Sequence, residues 1–117
     1  MGKLTTHVLD TAHGLAAVGM QLRLYRLVGD DRQLLVEIQT NSDGRCAAPL
    51  LQGDDLQRGR YELQFAAGDY FRNRGIELPE PAFLEDISLH FGIADATSHY
   101  HVPLLVSPWS YSTYRGS

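Results

Sequence analysis

The sequence predicts an all-β sandwich of about eight short strands with one short helix. Apolar and polar residues alternate with period two in several separate stretches, Gly- and Asp-containing turns divide those stretches, and only one segment suits a helix. Period two puts successive side chains on opposite faces of a strand, so each stretch reads as half-buried. At 117 residues the chain fits a single domain, 1–117, built on one core.

The opening strand covers residues 5–9, with Leu4, Thr6 and Val8 on one face and Thr5, His7 and Leu9 on the other. Met20, Leu22 and Leu24 then alternate with Gln21, Arg23 and Tyr25, and Leu34, Val36 and Ile38 alternate with Leu35, Glu37 and Gln39. Gly29-Asp30-Asp31-Arg32 is a hairpin-length turn between them. Asn41-Ser42-Asp43-Gly44 forms the next turn, where glycine takes positive φ without a steric penalty, and a short strand is expected over 45–48. Tyr61, Leu63 and Phe65 mark another strand, as do Ile87, Leu89, Phe91 and Ile93. The helix is expected over 69–74, stopped by Gly75 and followed by the loop with Pro79 and Pro81.

Two strands remain for the terminal block. Val102, Leu104 and Val106 share one face there, yet Pro103 and Leu105 occupy the other, so neither face suits water and the outward one is expected to meet another subunit. Pro103, lacking an N–H, belongs at an edge or a bulge.

Composition narrows the function classes. The net charge is -4 and no stretch concentrates Lys and Arg, so neither nucleic acid nor an anionic membrane is an expected partner. No apolar run reaches the ~18–20 residues a membrane-spanning helix needs. With Cys46 the only cysteine and no secretory segment at the start, a reduced, cytoplasmic setting is expected.

The chemistry-bearing residues lie at the two ends and at one turn. His7 is either a histidine holding a backbone carbonyl or a general acid–base, since imidazole titrates near neutral pH. His99 and His101 share a strand face, a spacing open to zinc with His7 or His90 as a further ligand, or to acid–base work without metal. Arg45, straight after Asp43-Gly44, is either a surface cation or a planar fork that stabilises charge on a carbonyl oxygen. Ser117 has no basic sequence neighbour and no nucleophile elbow, so no acyl-enzyme is expected. Cys46 reads as a small packed residue, and no pair of carboxylates forms a dyad.

The chain's last residues, Tyr114-Arg115-Gly116-Ser117, together with Leu4-Thr5-Thr6-His7-Val8-Leu9-Asp10, Asp43-Gly44-Arg45 and Gly68-Asp69-Tyr70-Phe71, resemble in order and position the blocks of the 5-hydroxyisourate hydrolases, transthyretin-related enzymes of purine breakdown. One departure is visible: the family commonly has a proline soon after the position of Gly14, where this chain has Leu15-Ala16-Ala17-Val18. The resemblance implies a transthyretin-like two-sheet Greek-key sandwich, a homotetramer built as a dimer of dimers, and pockets where subunits meet. It implies hydrolysis of a small ureide, 5-hydroxyisourate, without cofactor or metal. His7, Arg45, His101 and Ser117 would be catalytic, and His7, Arg45 and Tyr114 would contact substrate. Transthyretin, a carrier with the same fold, defines the alternative of a non-catalytic small-molecule binder; a structural sandwich is a further one.

Overall fold

The computed structural model describes residues 1–116. In chain order the strands are β1 (Lys3–Thr5), β2 (Val8–Asp10), β3 (Leu15–Ala16), β4 (Gln21–Val28), β5 (Asp31–Gln39), β6 (Leu51–Gln52), β7 (Gly59–Phe65), β8 (Ile87–Ile93), β9 (Tyr100–His101), β10 (Leu104–Val106) and β11 (Tyr111–Ser112). The helix α1 (Ala67–Asn73) lies between β7 and β8, ends at Arg74 and is followed by Gly75 at φ 86°.

One layer is the four-stranded antiparallel sheet β5-β4-β7-β8. The other consists of two short ladders, β6-β1-β9 and β11-β10-β2-β3, joined because the opening strand and the penultimate strand each break and resume. Within it the pairs β1–β9 and β2–β10 run parallel, and all other pairs are antiparallel. Val102 N donates to Thr5 O and Leu104 N to His7 O, so pairing continues across the break, while Pro103, with no N–H, stands in the gap between β9 and β10. Thr6 faces the core there and is satisfied by donating its hydroxyl to Val102 O at 2.7 Å.

The core lies between the layers. Leu22 and Leu24 of β4, Tyr61, Leu63 and Phe65 of β7, and Ile87, Leu89 and Ile93 of β8 meet Leu4, Val8, Leu104 and Val106 from the other side. Burying such side chains stabilises by about 1.5–3 kcal/mol each, which fixes the register of every strand that contributes one. α1 adds Tyr70 and Phe71 to the same core.

Several expectations about strands change: the opening strand 5–9 is divided into β1 and β2, the terminal block holds β9, β10 and β11 where two strands are expected, and such breaks raise the number among the described residues from about eight to eleven. Residues 45–48 form no strand; Arg45 alone makes a bridge to His7, and the ladder resumes at β6 beyond Pro49. The segment is tied at its ends instead, by Asn41 N donating to Arg45 O and Leu50 N to Leu4 O. In β5 the alternation fails near the hairpin, because the register slips opposite Leu24 and Tyr25, leaving Leu34 and Leu35 49% and 36% exposed. The segment without proline after Gly14 forms β3 on the edge of β2, and the Ala17 amide donates to Val8 O.

Candidate active site

The face of the opening strand turned away from the core carries Thr5, His7 and Leu9, while Leu4, Thr6 and Val8 point inward and are essentially buried. Two neighbours complete that face. His101 of β9 lies in register with Thr5, and Arg45 bridges His7 from the opposite side. Side chains in register project to the same face, so residues from the start, the first third and the end of the chain gather there.

Arg45 is placed by its turn. Asn41 accepts the Asp43 and Arg45 amides on its side-chain oxygen at 2.9 and 3.1 Å, and its own carbonyl takes the Gly44 amide. Gly44 sits at φ 75°, and a Cβ there would lie 2.4 Å from the Val8 carbonyl oxygen, so the turn closes against β2 only with glycine. The Val8 amide donates to Gly44 O at 2.8 Å and fastens the turn to the strand.

The two histidines are held differently. His7 Nε2 donates to the Asp43 carbonyl at 2.9 Å; because a carbonyl only accepts, the proton resides on Nε2 and neutral His7 keeps its lone pair on Nδ1. His101 Nδ1 lies 2.8 Å from Thr5 Oγ1. Burial, then the Arg45 charge, then His7 press the His101 imidazole below its ordinary pKa of 6.5. At neutral pH His101 is therefore an uncharged base beside a fixed cation.

A cavity of about 410 Å³ opens beside these groups, lined by Lys3, Thr5, Thr6, Arg45, Cys46, Ala48, Pro49 and His101. Cys46 is half-buried and desolvation raises its thiol pKa, which disfavours the thiolate a nucleophile requires. His99 is exposed and contributes its carbonyl, not its ring, to the surroundings, accepting from Arg115 Nη2 at 3.2 Å.

Tyr114 does not join Arg45 and His101 within one chain. It is 60% exposed and borders a different hollow of about 430 Å³ along the open edge of β8, with Tyr100, Tyr111 and Arg115. Ser117 lies outside the described residues. Thr5 was not singled out from the sequence as a site residue, although its place two residues before His7 put it on the same face; what identifies it is the register with His101.

The chain is 61% identical over 117 residues to the 5-hydroxyisourate hydrolase of Ralstonia nicotianae, covering all of both chains. Its fold superposes with a TM-score of 0.82 on the 5-hydroxyisourate hydrolase of Klebsiella pneumoniae, at 34% identity and complete coverage of both chains. It also superposes with a TM-score of 0.86 on sea bream transthyretin in complex with thyroxine, at 25% identity, covering 97% of this chain and 94% of that one. The HIUase/Transthyretin family model matches residues 4–116, nearly the whole length, and the chain belongs to that family.

Proposed function

We propose that this chain hydrolyses 5-hydroxyisourate, opening its ring at a cyclic amide to give 2-oxo-4-hydroxy-4-carboxy-5-ureidoimidazoline. The observation that carries the reading is the gathering of His7, Arg45 and His101 on one sheet face, where Arg45 and His101 line the adjoining cavity. A carrier of apolar ligands has no use for two imidazoles and a guanidinium placed together, so the site chemistry favours the hydrolase over the carrier.

His101 is the proton acceptor. In the tautomer that carries the His101 proton on Nδ1, facing Thr5 Oγ1, the Nε2 lone pair takes a proton from water as the water oxygen bonds to the ring carbonyl carbon. Arg45 stabilises the negative oxygen of the tetrahedral intermediate, a role its planar fork suits. The carbon–nitrogen bond then breaks and the His101 imidazolium returns its proton to the departing nitrogen. His7, fixed by the Asp43 carbonyl, orients the water through Nδ1. The chain's own residues supply every proton transfer in this scheme. Tyr114 contacts substrate once subunits assemble, and Ser117 is assigned to the catalytic set by family resemblance.

The assembly is a homotetramer, a dimer of dimers, in the cytoplasm. Its support is the half-buried Leu9 and Leu105 on the outward face of the site layer and the unpaired edges of β8 and β11, which leave ladder groups for a neighbour. Among the described residues no helix is long and apolar enough to cross a membrane.

The test is the decay of freshly generated 5-hydroxyisourate with and without the protein, because the spontaneous reaction supplies the baseline. Acceleration proportional to enzyme concentration is expected, and decay at the spontaneous rate would overturn the reading.

A further inference from the structure

Gly116 touches the imidazole of His101. A Cβ at position 116 would lie 2.9 Å from His101 Cδ2, closer than real Cβ contacts come, and 3.0 and 3.3 Å from its Cβ and Cγ, so the ring would have to shift by a few tenths of an ångström. Gly116 is not among the glycines with positive φ, so φ there does not require glycine; the crowding comes from the His101 side chain. The ring is thus bounded on two edges, by the Thr5 hydroxyl at Nδ1 and by Gly116 at Cδ2. Cδ2 is bonded directly to Nε2, the atom that would receive the proton.

The tail is held against the ring by two separate means. Gly116 and His101 form an antiparallel bridge, with Gly116 N donating to His101 O at 2.8 Å and His101 N to Gly116 O at 3.3 Å. One residue earlier, the Arg115 guanidinium lies 4.3 Å from the centroid of the Tyr100 ring and donates to the His99 carbonyl. Tyr100 is a fixed platform: its ring is buried and its hydroxyl accepts the Ala94 and Asp95 amides at 3.1 and 3.0 Å.

We infer that Gly116 is a positioning residue that sets the His101 ring through direct contact, and that Arg115, stacked on Tyr100, holds Gly116 in place. The inference rests on His101 being the acid–base group proposed above. It explains why residue 116 lacks a side chain, and it gives Arg115 a task at a distance from the reacting atoms.

The test uses the full chain with Gly116→Ala, Arg115→Ala and Arg115→Lys, reading kcat and KM on fresh substrate and the ring resonances of His101 by NMR. For Gly116→Ala, kcat falls by about tenfold or more, since small misplacements of a reacting group are costly, while KM stays close to wild type. The His101 resonances move, whereas those of His13, which is held by Asp10 and packed near Phe71, stay in place. Arg115→Ala moves kcat and His101 in the same direction, and Arg115→Lys, which keeps a cation above Tyr100, restores part of the loss. Wild-type kcat in Gly116→Ala, or a loss of kcat with unmoved His101 resonances, overturns the inference. Should Gly116→Ala fail to fold, Arg115→Ala decides it by the same readouts. If the wild-type protein leaves substrate decay unaccelerated, the hydrolase reading fails, and the NMR arm still decides the contact: shifted His101 resonances uphold it and unmoved ones reject it.

Discussion

Asp10→Ala should destabilise the fold by about 3–5 kcal/mol, the cost of breaking a buried charged network by removing one partner. Asp10 is 1% exposed, and four donors converge on its carboxylate. The Ala12 and His13 amides each donate at 3.0 Å, His13 Nδ1 at 2.6 Å and the Tyr70 hydroxyl at 2.8 Å, with Arg74 Nε 3.8 Å away. Charge-assisted hydrogen bonds contribute about 1.5–3 kcal/mol apiece, but bonds to one carboxylate are not additive, so the network estimate governs. Alanine strands the Tyr70 hydroxyl in the core and releases the turn from β2 to β3. Asp10→Asn keeps an oxygen for the two amides and should cost less. Urea unfolding followed by circular dichroism reads the effect as a lower midpoint at unchanged slope. A loss below about 1 kcal/mol for Asp10→Ala would refute the view that this carboxylate organises the turn.

The same carboxylate sets a pH dependence. Burial pushes the Asp10 pKa up, but the hydrogen bonds from His13 and Tyr70 outweigh it and the net shift is downward from 3.8. A depressed folded pKa contributes stability above the unfolded value, and that contribution is lost as pH falls from 3.8 through the folded pKa; unfolding midpoints measured across that acid range should drop in wild type and flatten in Asp10→Asn. For catalysis, His101 lies below 6.5, so kcat/KM should hold level at neutral pH and fall only in more acidic solution; an acid limb centred above 6.5 would contradict His101 as the base. Gly44→Ala should cost about 2 kcal/mol or more, because it combines a left-handed φ of 75° with a clash against the Val8 carbonyl, and it should lower activity by displacing Arg45 from His7; thermal unfolding and turnover together check this.

Alternation exposed most of the architecture because one face of each strand is buried, which writes the period directly into Leu22, Leu24, Leu63, Phe65 and Leu89. Where burial lapses, so does the signal. The tip of β4 and β5 projects from the core, and Leu34 and Leu35 face water there despite an apolar pattern. Residues 45–48 looked like a strand because Cys46, Ala47 and Ala48 carry no turn signal, yet Arg45 alone pairs and the chain then passes to Pro49. The parallel pairing of β1 with β9 is a long-range matter on which local pattern is silent, and it brings Thr5 to His101. His7, Arg45 and His101 could be picked out by residue type and by likeness to a family, but their common face rests on that register. The restriction at Gly116 is a contact between elements and has no local signature.

The measurement that bears most directly on the account is the turnover of freshly generated 5-hydroxyisourate by His101→Ala at neutral pH, with the fold verified by circular dichroism. Loss of an acid–base group predicts a fall of ~10²–10⁴-fold in rate with the sandwich intact. Turnover at the wild-type rate would remove His101 from the chemistry and leave the gathered imidazoles and guanidinium without the role assigned to them.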